Sequence, residues 1–104
     1  MVAICQPEGD IDAYSVDYFR SLVYTAIDEA CEPIVVVDFS DVNFICASAF
    51  RVLDECGTYA MRRDRSLVVA YLPAPYARIA TLFQWNGAGP PDDYAVVTSI
   101  YQDA

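Results

Sequence analysis

The sequence predicts a single α/β domain in which strands and helices alternate in the order β-α-β-α-β-α-β. Three observations carry that expectation. Apolar runs of strand length, "PIVVVDF" and "SLVVAYL", alternate with longer segments whose apolar residues recur every three or four positions. A chain of 104 residues suits one domain with one core. With 56% hydrophobic residues and only four glycines, the composition is that of a folded chain.

The elements follow in order. "VAIC" alternates as a short strand does, and "PEGD" after it is a turn signal. "SVDYFRSLVYTAIDEAC" reads as a helix: Ser15 or Asp12 can cap it, and Phe19, Leu22, Val23, Ala26, Ile27 and Ala30 form its apolar stripe. "PIVVVDF" is apolar on both faces, as an internal strand covered by helices on at least one side should be. "SDVNFICA" reads as a loop anchored by Val42, Phe44 and Ile45. A second helix is expected from about Ser48 to Arg62, with Ala49, Val52, Leu53, Cys56 and Ala60 on one stripe and Gly57 marking close packing. "RRDRS" is a polar turn and "LVVAYL" a buried strand. "PAPYARIATLFQWNG" opens with prolines suited to a helix start and closes on Asn86-Gly87, a C-terminal stop. "AGPPDD" is a loop and "YAVVTSI" a last strand.

Composition excludes several functions. A net charge of -9 repels nucleic-acid phosphates and favours a partner with a basic docking face. All six cations are arginines, and lysine and histidine do not occur. Ser-His and Cys-His catalysis, Schiff-base lysines, Walker-type phosphate loops and imidazole metal sites are thereby ruled out. The four cysteines, Cys5, Cys31, Cys46 and Cys56, form no CxxC pair, so neither zinc nor a thioredoxin-like motif is expected. Reduced thiols packed as small hydrophobes are the plain expectation. The apolar runs are too short to cross a bilayer, and "MVAICQPEGD" lacks the features of a signal peptide, so a cytoplasmic protein without a membrane role is expected.

Three pieces together resemble the STAS domain, the fold of bacterial anti-sigma factor antagonists: "GDID", "VVVDFSDVNFICASAF" and "PAPYARIATLFQWNG". The similarity runs from about Val2 to Ile100 and implies a central mixed β-sheet with helices packed against it. Members similar to this chain carry Asp-Ser-Ser-Gly, or a close variant, where it has Cys46-Ala47-Ser48-Ala49. The resemblance therefore places the phosphate-accepting serine at Ser48, with Cys46 in place of the acid. It also implies that a strand commonly preceding "VAIC" is missing, which would leave an exposed edge.

By that resemblance the chain is a non-enzymatic binding protein that needs no cofactor. It would bind an anti-sigma factor of the serine-kinase type, releasing a sigma factor, and phosphorylation of Ser48 by ATP and magnesium on the kinase would switch it off. The implied partner-binding residues are Asp10, Asp12, Asn43, Phe44, Cys46, Ser48 and Phe50. The alternative is a STAS module that works without phosphorylation, either constitutively or through a thiol.

Ser48 also has a simpler reading, as an N-cap contributing on the order of 1 kcal/mol. The two roles are compatible, because the start of a helix tolerates an added anion through its free N–H groups and dipole. Asp10 and Asp12 read equally as turn-capping residues. Asp38 and Asp41 flank Ser40 but lack the partners acid–base catalysis requires. Arg62, Arg63 and Arg65 suit the C-terminal end of the second helix.

A thiol orients a hydroxyl poorly compared with a carboxylate. Phosphorylation of Ser48 is therefore expected to be slower in the wild type than in Cys46→Asp. A timed kinase assay on the two proteins measures this, and equal rates would refute it.

Overall fold

Valine and isoleucine dominate the strands at the centre of the molecule, where branched side chains pack well on a pleated surface. The computed structural model describes residues 2–73, Tyr76 and Thr98–Ile100. Its elements are β1 (Val2–Cys5), β2 (Gly9–Ile11), α1 (Val16–Glu29), β3 (Ile34–Asp38), β4 (Val42–Ile45), α2 (Ala47–Arg62), β5 (Ser66–Ala70) and β6 (Thr98–Ile100). Four strands form one sheet in the order β1-β3-β5-β6, parallel except for the antiparallel β6. This is the α/β architecture with a mixed sheet that the sequence predicts. None of the helices among the described residues is long and apolar enough to cross a membrane.

Two segments differ from the sequence reading. "GDI" is strand β2, not a turn, and "VNFI" is strand β4, not a loop. They pair in parallel as a separate two-stranded sheet, with Asp10 opposite Phe44 and Ile11 opposite Ile45. The order therefore gains two strands. Gly9 starts β2 at φ +79°, beside a shift of register, a conformation that side-chain-bearing residues rarely adopt. Phe44 is no apolar anchor: it is 45% exposed, whereas Val42 and Ile45 are buried. The expected third helix, 73–87, lies outside the described residues apart from Pro73 and Tyr76, and the "AGPPDD" loop and the start of the last strand also fall outside them.

One face of the main sheet carries both helices. Cys5, Val35, Val37, Leu67 and Val69 belong to the buried cluster beneath them, together with Phe19, Val23 and Ile27 of α1. From α2, Ala49, Val52, Leu53, Cys56 and Ala60 are all buried, as their spacing predicts. Gly57 is buried too. On the stripe of α1, Leu22 and Ala26 are only partly buried. The opposite sheet face is more open. Ile34 and Val36 are half-buried there, and their neighbours on β1, Val2 and Ile4, are exposed.

Helix ends follow local rules. Ahead of α1, the Asp12 carboxylate accepts from the backbone N–H groups of Tyr14 at 2.9 Å and Ser15 at 3.1 Å, so Asp12 closes the turn. The far end of α2 closes as a Schellman motif: Arg65 N–H donates to the Ala60 carbonyl and Asp64 N–H to that of Met61. Asp64 takes the left-handed residue of that motif, at φ 59°. The arginine cluster does more than complement the helix dipole. Arg65 donates to the carbonyl of Ala30 at the end of α1, and Arg63 pairs with Asp28 at 3.2 Å while lying over the Tyr59 ring.

Leu53 is fully buried in this core. Leu53→Ala is expected to cost about 2–5 kcal/mol, through lost apolar burial and the cavity left behind. Urea denaturation measures the change, and a loss of under 1 kcal/mol would show that the two helices do not hold this packing (the scale is that of surface substitutions).

Candidate partner-binding site

The pairing of β2 with β4 assembles one end of the molecule. The backbone N–H of Cys46 donates to the carbonyl of Ile11 at 2.8 Å, and that of Gly9 donates to the carbonyl of Asp41 at 3.0 Å. These bonds set the first turn of α2 beside β2 and the turn leading into α1. Asp10, Asn43, Phe44 and Ser48 are all exposed there. Asp12 is half-buried and engaged in its turn, as the plainer sequence reading has it. Phe50 must be withdrawn from the set. Its side chain is fully buried in the core, with its ring 6.1 Å from that of Tyr76, so it is not part of the exposed surface.

Ser48 does not cap α2. The N-cap is Cys46, which makes no side-chain capping bond, and Ser48 sits two residues further, inside the first turn. Its exposed hydroxyl lies 3.1 Å from the Cys46 sulfur, either atom able to donate. The thiol thus contacts the hydroxyl more directly than its sequence position suggests, although sulfur is a weak partner. No acidic residue occupies that turn, so the positive end of the helix dipole is not offset from within α2.

The acids nearby serve the loops. Asp38 accepts from the Ser40 backbone N–H at 2.8 Å, and Asp41 accepts from the Gln6 amide at 3.1 Å. Two exposed aromatics lie beside this end, Tyr14 at 98% and Tyr18 at 72% exposure, which the sequence did not separate from the chain's other tyrosines. A signal was present: Tyr14 precedes α1 in a turn, and Tyr18 lies off its apolar stripe. The third polar centre is a clasp between the helices. Glu55 accepts from Arg20 at 3.2 Å and from the Tyr24 hydroxyl at 2.7 Å. Burial and the Glu55 carboxylate together push the Tyr24 phenol up to about 12.

The cysteines divide by environment. All four are free thiols. Burial pushes Cys5 up to about 11. Burial, with Glu55 adding to it, pushes Cys56 up to about 12. Cys31 is exposed and Cys46 half-buried. Because the thiolate is the reactive form, native alkylation at mildly alkaline pH is expected to modify Cys31 first and Cys46 second. Cys5 and Cys56 should resist until the chain unfolds. Peptide mass spectrometry over time reads the order, and Cys56 labelling as fast as Cys31 would contradict the buried assignment.

Comparison with known proteins agrees with this architecture. The family model of the STAS domain matches residues 2–86. A solved structure titled as the anti-sigma factor antagonist SpoIIAA in its unphosphorylated form superposes with a TM-score of 0.60 at 17% identity, covering 79% of this chain and 74% of that one. At that identity the likeness establishes a shared fold. No curated protein matches. Sequence, fold and family model converge: this chain belongs to the STAS domain family.

Proposed function

We propose that this protein is an anti-sigma factor antagonist, a binding protein rather than an enzyme, switched off by phosphorylation of Ser48. The observation that carries the reading is the exposed Ser48 hydroxyl in the first turn of α2, beside the exposed Asp10, Asn43 and Phe44. In its unmodified state this face docks an anti-sigma factor, and the sigma factor is released. The partner is a serine kinase, and ATP and magnesium belong to it.

The physics of the switch follows from position. A phosphoryl group adds about two negative charges and three acceptor oxygens. At the start of α2 it meets the positive end of a helix dipole and an exposed surface, so the fold has no reason to open. The docked partner meets bulk and charge at the same place. Binding is lost while the domain stays folded.

A second reading has its own observation, the contact between the Cys46 thiol and the Ser48 hydroxyl. There the domain binds without phosphorylation, and the state of the thiol sets affinity. Dependence of binding on reductant in Ser48→Ala, which keeps Cys46 but removes the acceptor, favours it.

In pulldowns from the source cell, Ser48→Ala should retain the partner and Ser48→Asp should lose it, with affinity down about tenfold or more, equivalent to at least about 1.4 kcal/mol. Thermal melts of both should stay close to wild type, because exposed substitutions typically shift stability by within about 0.5 kcal/mol. Retention of partner by Ser48→Asp would defeat the switch.

A further inference from the structure

Beside the docking end lies a cleft of about 190 Å³, walled by the segment joining β1 to β2 and by the first turns of α1. Two buried side chains, Ile11 and Phe19, and the half-buried Leu22 line it with carbon. Tyr18, 72% exposed, adds an aromatic ring. Two exposed carboxylates, Glu8 and Asp10, also line it, with Gln6, Pro7 and Ser15. Neither carboxylate forms an ion pair among the described residues, and the nearby cation of α1, Arg20, is engaged with Asp17 and Glu55.

Size and lining select the occupant. The cleft is smaller than the roughly 300–1,000 Å³ of pockets that enclose small organic ligands. It suits one side chain better than a nucleotide or a cofactor. An apolar interior favours an aliphatic stem, while two uncompensated carboxylates and a tyrosine ring favour a cationic head. Guanidinium meets these demands better than ammonium. Its planar fork bonds to carboxylates in pairs and stacks on an aromatic ring, and it is the more weakly hydrated of the two.

We propose that this cleft seats an arginine side chain of a docked protein partner, with its stem against Leu22 and Phe19 and its guanidinium between Glu8, Asp10 and Tyr18. The assignment rests on the binding-protein reading above for the occupant being part of a protein. The chemistry of the cleft stands apart from Ser48 and from any kinase. Asp10 thereby acquires a defined contact, and Glu8 and Tyr18 join the docking face.

The test is an amide NMR titration of the isotope-labelled full chain with three probes: N-acetyl-arginine amide, N-acetyl-lysine amide and N-acetyl-norleucine amide. The arginine probe should give saturable shifts confined to residues 6–11 and 15–22, the two segments that line the cleft. Lysine should bind more weakly and norleucine should leave these amides unmoved. The double variant Glu8→Gln/Asp10→Asn should weaken arginine binding about tenfold or more, the scale of a lost charged hydrogen bond. Tyr18→Ser should weaken it as well, with both variants melting as the wild type does. Three results overturn the proposal: no saturable shift with arginine, equal shifts with lysine or norleucine, or binding unchanged in the double variant. Because the probes need no kinase or sigma factor, such a failure would leave the Ser48 switch standing, and a failed switch would leave the cleft standing.

Discussion

Much of the structure depends on two backbone hydrogen bonds, from Cys46 to Ile11 and from Gly9 to Asp41. They hold together two strands of three and four residues, too short to be stable as an isolated pair. What makes the pairing persist is burial: Ile11, Val42 and Ile45 all enter the common core. The small sheet therefore acts as a bracket. It places the entry to α1 and the entry to α2 side by side, and every exposed group of the proposed docking end depends on that placement.

The rest of the domain is held by one layer of contacts. Parallel strands β1, β3 and β5 turn alternate side chains towards α1 and α2, and Val35, Val37, Leu67 and Val69 meet Leu53, Val23 and Ile27 within one buried cluster. Polar side chains add orientation more than strength. The surface ion pairs Arg20–Asp17 and Arg63–Asp28 are each worth about 0–1 kcal/mol, since both partners remain partly in water. Arg65 differs, because its guanidinium donates to the carbonyl of Ala30 where α1 has ended and no further turn supplies a donor.

How far the sequence could be read depends on the regularity of its pattern. Helical spacing in 15–31 and 48–62 is unambiguous, and both helices form where it places them. The strands β3 and β5 are equally plain from their branched residues. β4 was hidden because its buried residues, Val42 and Ile45, are separated by two exposed ones, a spacing that strand alternation does not predict. β2 was hidden because Gly9 and Asp10 carry turn chemistry, and only long-range pairing with β4 draws them into a strand. Ser48 is exposed, and its expected capping place is taken by Cys46, two residues earlier, a shift of the size that helix boundaries read from sequence commonly show. Phe50 was misplaced because neighbours on a helix face different ways: Ala49 and Phe50 turn inward while Ser48 and Arg51 do not. The cleft was invisible in the sequence, since its walls come from segments whose mutual approach is set by the fold.

The clasp between the helices has a mechanical consequence. Its described ties grip α2 from Glu55 onward, through Tyr24, Arg20, Asp28 and the end of α1. The turn bearing Ser48 lies at the other extremity, about two helical turns away at 3.6 residues per turn. The described ties between the two helices thus lie at the end of α2 remote from Ser48. Under the switch proposed above, the domain would convey its state through what its surface admits or refuses, with its interior left unchanged.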